Sequence, residues 1–276
     1  MRLGGYVKTP YAGPEEWARE ARLLGYRAAP LPIDCQAGES AEEYRKAAAA
    51  ADIVIAEVGA WGNPISPDDA VRAEAIAFAQ RQLALADRIG ARVCVNIAGS
   101  RGEQWDGPHP DNFSDDAFAL IVDSVREIID AVKPTRTCYA LETMPWAMPD
   151  SADAYLRILS AVDRPQLAVH FDPVNMIASP RTFYRNADLI RDFVSKLGPY
   201  IRNAHAKDIE LGSRLTVHLS ETIPGQGELD YGVFLTELNK LDPELTLIIE
   251  HLNTPEQYAQ AYSFIKDEAY RANVPL

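Results

Sequence analysis

The stretch TCYALETMPWAMPDSADAYLRILSAVDRPQLAVHFDP, residues 137–173, reads as one strand–helix–strand unit. An apolar run over 137–143 carries Glu142 near its end. Ser151, two residues ahead of Asp153, marks the start of an amphipathic segment over 151–162. A second apolar run over 166–171 leads into Asp172. Strand, helix and strand in that order mean parallel strands joined by a crossover. The same alternation extends outward to both ends of the chain. Strands are expected at 3–7, 28–33, 53–58, 92–97, 137–143, 166–171, 201–206 and 245–250. Helices are expected at 14–24, 40–50, 67–89, 114–132, 151–162, 184–197, 231–241 and 255–269. Thr254-Pro255-Glu256 and Ser66-Pro67-Asp68-Asp69 place a capping residue before a proline at the first helical position. Eight such units close into a barrel, so a single (β/α)8 TIM-barrel domain is expected over residues 1–276. An open doubly wound sheet would carry GxGxxG after its first strand, and Leu3-Gly4-Gly5-Tyr6 does not supply it.

Composition bounds the function. The 276 residues include 40 acidic and 27 basic ones, for a net charge of −13. That balance opposes a nucleic-acid partner, which would need clustered Lys and Arg. A chain this long buries enough apolar surface to need no disulfide or structural metal, so a bound metal would serve chemistry. Cys35, Cys94 and Cys138 show no CxxC spacing and read as small packed residues. The opening MRLGGYVKTPYAG lacks the apolar core of a signal peptide, and no stretch of 18 apolar residues occurs. A cytoplasmic protein without a membrane partner is expected; pairing into a homo-oligomer stays open.

In such a barrel the C-terminal strand ends converge on the site. Glu142, Asp172, His205 and Glu250 end four successive strands, at spacings of 30, 33 and 45 residues. Three carboxylates in one small volume repel one another unless a cation compensates them. With one imidazole they suit a single hard or borderline divalent ion, Mn²⁺ first, with Mg²⁺ or Co²⁺ close and Zn²⁺ less favoured without thiolates. A lone acidic residue at a strand end is more often a cap or salt-bridge partner; four on consecutive ends point to metal.

Five motifs carry a family resemblance: LETMP at 141–145, HFDPVN at 170–175, HAKD at 205–208, PGQGELDY at 224–231 and IEH at 249–251. Over essentially its whole length the sequence resembles the sugar phosphate isomerase/epimerase superfamily, the xylose isomerase-like barrels related to ketose 3-epimerases and endonuclease IV. The resemblance implies a metal-dependent isomerase or epimerase that deprotonates a keto sugar to an enediolate. It also implies that Glu142 and Glu250 are the acid–base pair, one carboxylate on each face of the substrate. The epimerases carry a histidine after the metal-binding aspartate and an arginine after the metal-binding histidine. Here His170 precedes Asp172, Pro173 follows it, and Lys207 is the cation near His205.

Lys207 could contact a substrate oxygen or pair with a neighbouring carboxylate. Glu57 could bind a sugar hydroxyl or sit in an internal salt bridge. Trp61, Trp105 and Trp146 follow strands three, four and five, where rings could pack on a sugar or simply on loops. His109, in WDGPHPDN, is a further substrate candidate against a capping role. By strand alternation His170 would lie one layer below the metal, and His251 would point away from it. Gly225 and Gly227 offer a weak phosphate cradle. Two other functions fit the same residues. A lyase, deglycosidase or dehydratase would expel a substituent from a 3-keto glycoside or inositol-type ketone; a sugar-binding barrel would do no chemistry.

Overall fold

In the computed structural model of the chain, which describes residues 1–38 and 40–276, all eight apolar runs contribute parallel strands. They are β1 (Arg2–Gly5), β2 (Ala28–Ala29), β3 (Val54–Ile55), β4 (Glu57–Gly59), β5 (Val93–Asn96), β6 (Cys138–Glu142), β7 (Leu167–Phe171) and β8 (Ile201–Ala206). A hairpin of β9 (Asp208–Gly212) and β10 (His218–Thr222) follows, and β11 (Thr246–Ile249) is the last strand. The sheet order is β3-β2-β1-β11-β8-β7-β6-β5-β4. Its two edges are halves of one strand, separated by Ala56. Ala56 donates its N–H to Ala29 O at 2.9 Å and accepts from Val93 N at 3.2 Å. The sheet therefore closes on itself as an eight-stranded barrel without a free edge.

The helices α1 (Pro14–Leu23), α2 (Ser40–Ala50), α3 (Asp69–Ile89), α4 (Asp115–Val132) and α5 (Ala152–Val162) cross between strands. They are followed by α6 (Pro180–Phe183), α7 (Asn186–Leu197), α8 (Tyr231–Leu238) and α9 (Pro255–Arg271). Ser151 caps α5 by accepting from Ala154 N at 3.2 Å, and Thr254 forms a capping box with Gln257 ahead of Pro255. Several boundaries move, among them the end of the 231–241 helix at Leu238 and of the 3–7 strand at Gly5, and three have a clear cause. The 67–89 helix starts at Asp69, because Asp68 accepts from Ala70 N and Val71 N and takes the cap from Ser66. The 184–197 segment is helical only from Asn186, after the short α6. The 28–33 strand is two residues long, since Pro30 and Pro32 offer no N–H to a neighbouring strand.

The barrel interior follows from strand alternation. Val93 and Val95 of β5 pack with Ala140 of β6 and Ala168 of β7, and Ala28, Ala56 and Ile248 pack together on the other side. Two residues further along their strands come Glu142, His170 and Glu250. A larger apolar shell fills the space between strands and helices, with Trp17, Tyr155, Phe171, Phe193 and Phe234 fully buried in it. Cys94 is buried, Cys35 and Cys138 half-buried, and all three are free thiols. No helix among the described residues is long and apolar enough to cross a membrane.

Candidate metal centre

Glu142 is the last residue of β6 and His205 the penultimate residue of β8, while Asp172 and Glu250 directly follow β7 and β11. These strands are neighbours in the barrel, so the four side chains rise from one arc of its mouth. One ligand atom from each lies within 4.8 Å of every other, and all four residues are buried. His205 Nδ1 faces Glu250 Oε1 at 2.8 Å, Glu142 Oε1 at 3.3 Å and Asp172 Oδ2 at 3.8 Å.

Each of these groups is held from behind. Asp172 Oδ1 accepts from Val174 N at 3.0 Å and Asn175 N at 3.3 Å, turning the chain through Pro173 and leaving Oδ2 aimed at the site. Asn175 Nδ2 donates to Glu142 Oε1 at 3.0 Å and Thr143 O at 3.1 Å. On the far side of the imidazole, His205 Nε2 lies 3.3 Å from Glu57 Oε2, which also accepts from Asn203 Nδ2 at 2.6 Å. A carboxylate behind the ring fixes the tautomer that leaves Nδ1 free to ligate. Thr246 Oγ1 donates to Asn203 Oδ1, and the Tyr6 hydroxyl donates to Glu57 Oε1. His170 lies beneath, its ring centre 3.9 Å from that of His205 and its Nδ1 3.4 Å from Asn203 Nδ2.

Lys207 is buried with its ammonium 2.8 Å from both Asp172 Oδ2 and Glu250 Oε1, 3.2 Å from Glu221 Oε1 and 3.6 Å from Glu142 Oε1. Asp172 Oδ2 and Glu250 Oε1 both turn to Lys207 and His205. Two buried carboxylate oxygens turned toward a common point, with an imidazole nitrogen beside them, fit a cation better than they fit one another. The charges agree. The three carboxylates of the quartet outnumber Lys207, and Glu57 and Glu221 add to the excess, so a divalent cation beside a neutral His205 relieves it. The residues present fit the group.

The site's electrostatics show the same demand. Burial pushes Glu142 above the ordinary carboxylate range, with His205 and Lys207 offsetting only part of it. Burial would raise Asp172 and Glu250 as well, but Lys207 and His205 outweigh it and hold both below that range. Burial opposes a charge on His205, yet Glu250, Glu142 and Glu57 keep it protonated well above the usual histidine range. Burial keeps His170 neutral, and the neighbouring His205 adds to this.

The hairpin β9–β10 stands over this arc. Its Glu221 accepts from His251 Nδ1 at 2.9 Å and pairs with Lys207. His251 has a backbone φ of 57°, in the left-handed region. That turn overturns the alternation argument, which had sent His251 outward: its ring lines the cavity, with Nε2 3.5 Å from Glu250 Oε1. Asp208, next to Lys207, accepts from the N–H groups of Ile209, Gly225, Gly227 and Leu229 at 2.8–3.1 Å. The amides of Gly225 and Gly227 are thus already engaged by a carboxylate, which removes the phosphate cradle expected there. Gly227 is glycine because a Cβ would fall 2.4 Å from both Asp208 Oδ1 and Ile209 O.

A cavity of about 450 Å³ opens above the centre. Trp61, Trp105, Trp146 and Lys207 line it with Glu142 and Glu250, and the three indoles are partly exposed. Glu57 is not part of this wall; it is buried behind His205. His109 is not brought in either: its Nδ1 accepts from Asp111 N at 3.3 Å and caps the turn Pro110–Phe113. Sequence reasoning missed Asn175, Glu221 and Tyr6. Asn175 lay within HFDPVN, and its place three residues after Asp172 was an available signal; Glu221 belongs to a hairpin with no strong apolar run.

The chain belongs to the xylose isomerase-like TIM barrel family, whose model matches residues 18–268. Among solved structures it is similar to the 3-keto-D-glucoside 4-epimerase of E. coli (TM-score 0.75, 16% identity, covering 97% of this chain and 99% of that one). It is also similar to a probable 3-DHS dehydratase involved in petrobactin synthesis from Bacillus anthracis (0.71, 17%, 96% and 98%). A third is the D-psicose 3-epimerase of Clostridium cellulolyticum H10 (0.67, 16%, 99% and 97%). At these identities the likeness is one of fold. A comparison with curated proteins found no match.

Proposed function

We propose that this chain is a divalent-metal-dependent isomerase or epimerase of a keto sugar, moving a proton on the carbon beside the carbonyl through an enediolate. The observation that carries the reading is the buried quartet of Glu142, Asp172, His205 and Glu250, whose ligand atoms converge beneath a tryptophan-lined cavity. When bound, the ion supplies a Lewis acid that acidifies the C–H beside a carbonyl. Manganese fits the donor set first, with magnesium, cobalt or zinc as alternatives. Glu142 and Glu250 both reach the cavity, so one carboxylate can take the proton and the other return one. Lys207 is placed to meet negative charge developing on a substrate oxygen. Trp61, Trp105 and Trp146 offer faces for the sugar's C–H groups. The net charge of −13 opposes a nucleic acid as partner, which leaves a small carbohydrate as our reading, and the cytoplasm as its proposed compartment.

The test is metal content by elemental mass spectrometry, wild type beside His205→Ala, followed by keto sugars in deuterated water. About one ion per chain, lost in the variant, and solvent deuterium on the sugar carbon are expected. No metal in either protein after adding Mn²⁺ would sink the reading. Metal without exchange would make it a binding barrel. A second outcome of the same proton removal, β-elimination from a keto glycoside or inositol-type ketone, is supported by the space beyond the metal cavity and by the dehydratase among similar structures. A released aglycone or water would mark it.

A further inference from the structure

Beside the cavity over the metal centre lies a second one of about 800 Å³, and Tyr6, Lys8 and Trp61 form a wall common to both. Each is large enough for a small-molecule group, since such sites run to roughly 300–1,000 Å³. We infer that the second compartment receives the aromatic, apolar part of a glycoside whose sugar ring sits over Glu142 and Glu250. This rests on the keto-sugar reading above and names its substrate class.

Three observations carry it. The second compartment is lined by Tyr11, Trp17, Leu31, Ile33 and Phe78 besides the shared Trp61. Of its polar side chains, Gln82, Asp34 and Glu57 are engaged, while Lys8 and Gln36 are exposed. Gln82 donates to Gly59 O at 2.6 Å and accepts from Cys35 N at 2.7 Å. Asp34 accepts from Gln36 N at 2.8 Å, and both Glu57 oxygens are taken by Tyr6, Asn203 and His205. Away from Lys8 and Gln36, a second sugar ring would bury hydroxyls against groups with little left to offer them, whereas an apolar ring loses nothing there. Finally, Trp61 lies against the backbone of Gly59, where a Cβ would meet its indole Nε1 at 2.3 Å. Gly59 thereby lets a flat indole stand at the junction, in reach of ligands on both sides.

Calorimetry on the Mn²⁺-loaded protein with unreactive glucosides tests this without turnover. Naphthyl β-D-glucopyranoside should bind about tenfold more tightly than methyl β-D-glucopyranoside, as burial of one aromatic ring allows. That ratio should fall to about one in Tyr11→Ala/Phe78→Ala. Ile33→Trp, which fills the compartment instead of emptying it, should do the same if the double variant folds poorly. Equal binding of the two glucosides, a matching gain with cellobiose, no binding of either, or a preference that survives both variants would each overturn the inference. Loss of metal binding or of deuterium exchange would instead overturn the reading it rests on.

Discussion

Asp172 divides its two oxygens between structure and site: Oδ1 holds the turn at Val174 and Asn175, Oδ2 faces the centre. Comparable precision sits behind it. The Tyr155 hydroxyl, fully buried, lies 2.6 Å from Leu141 O and 2.8 Å from Ala168 O, tying β6 to β7 just below Glu142 and His170. Tyr155→Phe removes the one proton those carbonyls share and the acceptor of Leu141 N, and should cost about 1–3 kcal/mol, read as a lower urea midpoint. Gly227→Ala should cost a similar ~1–3 kcal/mol, because backbone as well as Asp208 must move; an unchanged midpoint would refute the argument. At this scale the quartet was legible, because strand alternation puts Glu142, Asp172 and Glu250 on the inward face. Of the two readings of Glu57 the structure shows the internal ion pair with His205, and His251 turns inward against the alternation argument. Ala56 interrupts the third strand, so that both Ala56 and Glu57 turn inward, and His251 is left-handed. Neither irregularity has a glycine or proline to announce it.

Elements were largely legible because apolar runs repeat eight times and side-chain caps open many of the helices between them. The hairpin β9–β10 was not. Its strands alternate weakly, with exposed Glu210 and Ser220, and it pairs with no barrel strand. Yet it brings Glu221 to Lys207 and His251 at the cavity rim. Glu221→Ala should leave metal content at the wild-type level while raising KM for the sugar substrate about tenfold, as two cations lose the acceptor that orients them. Loss of metal in this variant would instead mark the hairpin as part of the metal-holding framework.

Across the whole molecule, the end opposite the site is tied by ion pairs between strand beginnings. Arg2 pairs with Asp52 and Glu244, Arg27 with Asp52, and Arg92 with Asp242. Burial would raise Asp242, but the Glu244 N–H and Arg92 outweigh it and hold the carboxyl below its ordinary 3.8; Arg2 does the same to Asp52. With folded values depressed, this stabilisation is present above pH 3.8 and fades as the pH falls through the folded values. The urea midpoint of wild type should therefore drop more than that of Asp242→Asn on going from about pH 5 to about pH 3. Equal drops would remove Asp242 from the acid response.

That ring of charges has a practical corollary. The floor of the barrel and its mouth are separate enough to be altered independently, with packed Val93, Val95, Ala140 and Ala168 between them. A designer seeking a hardier catalyst can rework the floor around Arg2, Asp52 and Asp242 while leaving the substrate's view of the protein untouched.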